Sequence, residues 1–136
     1  MVRLTLRLDF GPDQAIGHGK IRLLEAVRDH GSISAAGRAM GMSYRRAWLL
    51  VDELNTMFEL PVIQTKHGGM TGGGAELTPL GHRLIENYRV MEAKAQAVVN
   101  AELAELAAKI TRRRSRSRVS QKSALRQPRR GSRAIA

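Results

Sequence analysis

The chain has 136 residues, enough for one modest domain, and no cysteine, which excludes disulfide staples, cysteine-ligated zinc and thiol catalysis. No stretch approaches the roughly 20 apolar residues of a membrane-spanning helix, and Met1 to Phe10 alternate polar and apolar residues instead of forming the apolar block of a signal peptide. A cytoplasmic protein with no membrane partner is expected. The net charge of +11 is unevenly held, because residues 111–136 contain ten Lys and Arg and no acid while residues 1–110 carry only +1.

In chain order, Arg3-Leu4-Thr5-Leu6-Arg7-Leu8-Asp9 alternates strictly and predicts a half-buried strand with Leu4, Leu6 and Leu8 on its inner face. Gly11-Pro12-Asp13 breaks the chain, and Ile21, Leu24 and Val27 then recur at helical spacing, predicting a first helix over about 17–30 that closes at Gly31. Ser32 stands where an N-cap belongs, and Ile33, Ala36 and Met40 mark a short second helix ended by Gly41. Ser43 is a second N-cap, followed by the buried stripe Ala47, Leu50, Val51, Leu54 and Phe58 of a third helix over about 44–58. Only Gly41-Met42-Ser43 separates these two helices, the connection of a helix-turn-helix.

Val62 to Lys66 and Ala75 to Thr78 read as two strands around a tip, residues 67–74, with five glycines in eight positions. Thr78-Pro79 opens a long helix over about 79–110. Its apolar residues Leu84, Tyr88, Met91, Ala95 and Val98 are spaced by 4, 3, 4 and 3, and Leu103 and Leu106 continue the pattern after a slip of one residue. A helix of that length outreaches a small domain, so this seam predicts a homodimer; packing on its own domain is the competing use. The order β-α-α-α-β-β-α, mainly α with a small β-wing and a long C-terminal dimerisation helix, is that of a winged helix-turn-helix domain. Residues 1–110 are read as this domain and 111–136, rich in Arg, Ser and Gln, as a disordered basic tail that attracts phosphates or simply extends into solvent.

Opposite the buried stripe of the third helix lie Arg45, Leu49, Asp52 and Thr56, with Arg46 and Trp48 on the flanks. The first turn of such a helix is where base edges are met in the major groove. Arg45 or Arg46 suits guanine or a phosphate, Ser43 and Tyr44 donate hydroxyl hydrogen bonds to the backbone, and Leu49 suits a thymine methyl. Trp48 serves equally as packing between helix and wing or as a DNA contact. Ser32 and Ser34, at the start of the second helix, and Lys66, His67, Gly68 and Gly69, where the wing tip begins, complete the candidate DNA-binding set; a glycine-rich hairpin can also be merely mobile. The four histidines form no HExxH or other ligand spacing, and no nucleophile, base and orienter can be assembled. No enzyme, metal or cofactor is expected. The partner is double-stranded DNA, bound by a sequence-specific regulator or, alternatively, by a nonspecific architectural protein driven by its tail.

Gly31-Ser32-Ile33-Ser34, Ser43-Tyr44-x-x-Ala47-Trp48, Gly68-Gly69-x-x-Gly72-Gly73-Gly74-Ala75 and Leu77-Thr78-x-x-Gly81 with Arg83-Leu84-Ile85 occur together and in order. Over about 21–110 the sequence thereby resembles the N-terminal DNA-binding domain of the bacterial, molybdate-responsive ModE family, related to LysR-type winged helices. The resemblance implies a nucleoid-associated homodimer on an operator palindrome, with Ser43, Tyr44, Arg45, Arg46 and Trp48 in the groove and Lys66 and the wing at the flanking backbone, and it links the chain to molybdate or metal-oxyanion homeostasis. Full-length members carry molybdate-binding domains after this one; here the basic tail occupies that space, so direct molybdate binding is not expected of these residues.

Overall fold

The computed structural model describes residues 2–66 and 73–110. Its elements are β1 (Leu8–Gly11), β2 (Gln14–Ile16), α1 (His18–His30), α2 (Ile33–Ala39), α3 (Tyr44–Met57), β3 (Ile63–Lys66), β4 (Gly74–Leu77), α4 (Pro79–Glu102) and α5 (Ala104–Ala107). β1 with β2 and β3 with β4 form two separate antiparallel hairpins, the second in the register Ile63↔Leu77 to Lys66↔Gly74. This is a winged helix-turn-helix with one additional small hairpin at its N-terminal end.

The helix boundaries follow from capping chemistry. α1 closes on Gly31 in the left-handed region (φ 76°), whose N–H donates to the Val27 carbonyl. The Ser32 hydroxyl accepts from Ala35 N to open α2, and Ser43 accepts from Arg46 N to open α3. Between them Gly41 takes φ 71°, and Met42 N returns to the Gly37 carbonyl. Ile21, Leu23, Leu24 and Val27 of α1, Ile33 and Ala36 of α2 and Ala47, Val51 and Leu54 of α3 meet Val62, Ile63, Ala75, Leu77, Ile85 and Tyr88 in one buried core.

Three expectations are corrected. Strand pairing begins only at Leu8: residues 2–7 keep the predicted alternation of half-buried and exposed positions but join no ladder. A strand needs a partner, and β2 is only three residues long. The segment instead lies along α4, where Gln96 Oε1 accepts from Leu4 N (3.0 Å), Gln96 Nε2 donates to Val2 O (2.9 Å) and the Tyr88 hydroxyl donates to Leu6 O (2.7 Å). Tyr88, expected in the dimer seam, is therefore fully buried in its own domain, because the hydroxyl finds a backbone acceptor at the inner end of the ring. Finally, the helix expected over 79–110 ends at Glu102: Leu103 leaves helical geometry (φ −99°, ψ 6°) and starts the single turn α5, at the point where the apolar repeat has slipped out of phase. The tail beyond Ile110 lies outside the described residues.

Arg89 of α4 binds α1 through a fork on Glu25, Nε to Oε2 at 3.0 Å and Nη2 to Oε1 at 2.8 Å, and also reaches Glu92 at 2.8 Å. The guanidinium hydrogen bond holds the Glu25 carboxyl below its ordinary value of 4.5, against the opposing cost of burial. Since the folded-state value is the lower one, the pair stabilises the fold above 4.5 and loses that contribution as pH falls through the depressed folded value. Acid titration of the urea midpoint is expected to fall more steeply below that pH for the wild-type chain than for Glu25→Gln. Gly81 faces the Val62 carbonyl so closely that a Cβ has no room there. Gly81→Ala is expected to destabilise the domain by about 1–3 kcal/mol in the same urea measurement.

Candidate nucleic-acid interface

The helix pair is held at close range because α2 turns a glycine to α3: a Cβ on Gly37 would stand 3.0 Å from Ala47 Cβ. With Ala47, Val51 and Leu54 buried, the opposite side of α3 is left to solvent. Tyr44 is 61% exposed and Leu49 52%, and Arg45, Arg46, Asp52 and Thr56 share that exposure. Among the described residues neither Arg45 nor Arg46 enters an ion pair, so both guanidinium forks are available to an external acceptor.

The wing hangs beside this face from the turn between α1 and α2. Ala75 N donates to the Gly31 carbonyl (2.9 Å), and Gly74 passes so near that carbonyl that a Cβ would stand 3.1 Å from it. Between wing and helices lies a cleft of about 230 Å³ lined by Ser32, Ser34, Tyr44, Trp48, Thr65 and Lys66 among others. Five of the residues expected to meet DNA, Ser32, Ser34, Tyr44, Trp48 and Lys66, thus share one concavity. The Lys66 ammonium is half exposed and loosely paired with Glu76 across the hairpin at 3.3 Å, a rim pair of little strength. The Ser32 hydroxyl is occupied as an N-cap, and the Ser34 hydroxyl accepts from Arg38 Nη1 at 3.0 Å. His67, Gly68 and Gly69 lie outside the described residues.

Trp48 takes the packing use open to it in the sequence and also lines the cleft. Its ring is packed against the core and meets Tyr44 edge-on at 6.2 Å, while its Nε1 is buried without a hydrogen-bond partner among the described residues. Sequence reasoning missed Asn55, which carries the connection from α3 into β3; an amide standing beside the apolar stripe Val51-Leu54-Phe58 was the available signal. It also missed the second role of Thr78, whose hydroxyl accepts from Gly81 N and donates to Pro61 O at 2.8 Å, tying α4 to the root of the wing.

Along α4, Met91 (40%) and Val98 (61%) are exposed, Ala95 and Leu84 are half-buried, and Leu84 packs partly on its own core. These four keep spacings of 7, 4 and 3 along α4, with Leu84 against the domain's own core and Tyr88 buried within it. Leu103 is half-buried and Leu106 exposed, past the end of α4. Among the described residues no group of His, Asp and Glu could hold a metal ion, and no helix is long and apolar enough to cross a membrane.

Comparison with known proteins matches residues 18–82 to the bacterial regulatory helix-turn-helix protein, lysR family. The chain is 44% identical over 77 residues to the molybdenum-pterin-binding protein MopA of Rhodobacter capsulatus, covering 57% of this chain and 29% of that protein. It is 35% identical over 100 residues to the molybdenum transport protein ModE of Azotobacter vinelandii, covering 74% of this chain and 36% of that one. With the DNA-binding transcriptional dual regulator ModE of Escherichia coli (strain K12) it shares 39% over 72 residues, 53% of this chain and 28% of the other. The chain spans about a third of the length of these relatives.

Proposed function

We propose that this chain, whose residues 18–82 match the lysR family of bacterial regulatory helix-turn-helix proteins, is a transcriptional regulator that binds a palindromic DNA operator as a homodimer. The observation that carries the reading is the first two turns of α3, where Tyr44, Arg45, Arg46 and Leu49 stand free beside the cleft that the wing completes. α3 enters the major groove, Arg45 and Arg46 fork onto guanine or phosphate, Leu49 meets a thymine methyl, and Lys66 and the wing take the flanking backbone. The names of its relatives, which speak of molybdenum transport and molybdenum-pterin binding, support a regulon concerned with molybdate or related oxyanions. The protein works at the chromosome in the cytoplasm, and the ten cations of residues 111–136 add affinity without sequence preference.

Dimerisation rests on the α4 seam of Leu84, Met91, Ala95 and Val98. Two such seams together bring the two α3 helices to successive major grooves, which a palindrome requires.

Selection of bound sites from random double-stranded DNA by the full chain tests the proposal directly: it should enrich a two-fold symmetric motif with half-sites about one helical turn apart. Failure to enrich any motif would refute it. Arg45→Ala and Arg46→Ala are each expected to weaken binding to the enriched duplex by about 1–3 kcal/mol where the wild-type side chain reads a base, with preference relaxed at that position. Val98→Asp, at an exposed seam position, is expected to leave a folded monomer in sedimentation equilibrium and to abolish cooperative occupation of the two half-sites.

A further inference from the structure

The wing and the recognition helix are separate elements, and β4 is anchored to the turn between α1 and α2, away from α3. Beyond the shared apolar core, what ties the wing to α3 by hydrogen bonds is one side chain. Asn55 Oδ1 accepts from Val62 N at 2.8 Å and from Ile63 N at 3.1 Å, and its Nδ2 donates to Ile63 O at 3.2 Å. Among the described residues these are the only hydrogen bonds from α3 to the segment 58–77. The two peptide groups involved are buried, Val62 at 0% and Ile63 at 3% exposure, so no water replaces the amide in the folded chain.

Position along the helix gives this clamp its meaning. At about 100° per residue Asn55 falls on the same edge of α3 as Trp48 and Tyr44, the two aromatic residues that line the cleft. From Asn55 back to Trp48 the helix runs roughly 10 Å, and from Ile63 to Lys66 the strand β3 runs about the same distance. A strand hung on Asn55 at Ile63 therefore delivers Lys66 level with Trp48, as the lining of the cleft shows.

We propose that Asn55 is the positioning residue that couples the wing to the recognition helix, so that Lys66 and the first turns of α3 engage DNA as one rigid unit. The proposal rests on the DNA-binding reading above and deepens it. Without the amide the wing stays on the domain through the Ala75–Gly31 and Thr78–Pro61 hydrogen bonds, and Lys66 is released from its register with Trp48.

The test is a double-mutant cycle in the full chain, on the duplex that the wild-type chain enriches from random DNA. In the wild-type background Lys66→Ala should weaken binding and lower the slope of log affinity against log salt by about 1. In the Asn55→Ala background Lys66→Ala should change neither quantity, while Arg45→Ala keeps its full fold-loss in both. Equal effects of Lys66→Ala in the two backgrounds would overturn the coupling. So would a proportionate shrinkage of the Lys66 and Arg45 effects, which is what general loosening of the fold produces. If Asn55→Ala does not melt cooperatively, the same cycle is run with Asn55→Gln, which keeps the amide and displaces it by one methylene. A wild-type chain that enriches no duplex overturns the DNA-binding reading itself, a result separate from either failure of coupling.

Discussion

The backbone of Val62 is the point on which the domain turns. Its N–H is held by Asn55 at the end of α3, its carbonyl accepts from Thr78 N at the mouth of α4, and Gly81 presses against that carbonyl from the first turn of the same helix. The residue is wholly excluded from solvent, so each of these polar groups must be satisfied by protein, and each is. Recognition helix, wing and C-terminal helix thus meet at one buried backbone unit. Their mutual angles are set by hydrogen bonds of fixed length more than by the adaptable packing of aliphatic side chains. A glycine at 81 and a threonine at 78 are the sequence signatures of that meeting, the first allowing the approach and the second closing it.

The remaining order of the domain is assembled around α1. Lys20 donates to the Ala15 carbonyl at 2.8 Å and pairs with Glu53 at 3.2 Å, joining β2, α1 and α3. Arg89 joins α1 to α4 through Glu25. These internal pairs consume charge that would otherwise face solvent on the sides of the domain, whereas among the described residues the exposed edge of α3 keeps Arg45 and Arg46 uncommitted. In a domain of nearly zero net charge, where the unpaired cations stand matters more than how many there are.

The local features were legible because they are written in local chemistry. Ser32, Gly31, Ser43 and Gly41 announce their caps and turns within a few residues, and all three core helices begin and end within a residue or two of the periodicity that predicts them. What escaped prediction depends on residues far apart in the chain. Whether Leu4 and Leu6 sit in a ladder or against a helix depends on Gln96 and Tyr88, more than 80 positions away. Tyr88 carries the same heptad spacing as Met91 and Val98, yet its ring lies in the core and its hydroxyl donates to the Leu6 carbonyl. Periodicity could not foresee the break at Leu103 either, since a repeat that slips by one residue fits a bent helix as well as a straight one. The candidate interface divides in the same way: Tyr44, Arg45, Arg46 and Leu49 follow from helical phase alone, while the clamp at Asn55 requires knowing which backbone groups end up buried beside it.

Trp48 is the only tryptophan in the chain, and it is seated where the recognition helix, the wing and the aromatic ring of Tyr44 converge. An indole whose N–H has no partner among the described residues and whose ring is partly shielded emits according to the polarity of one small neighbourhood. The tryptophan emission of the whole protein is therefore the emission of its candidate interface, and a change in its colour or intensity reports occupancy of that cleft without any attached label.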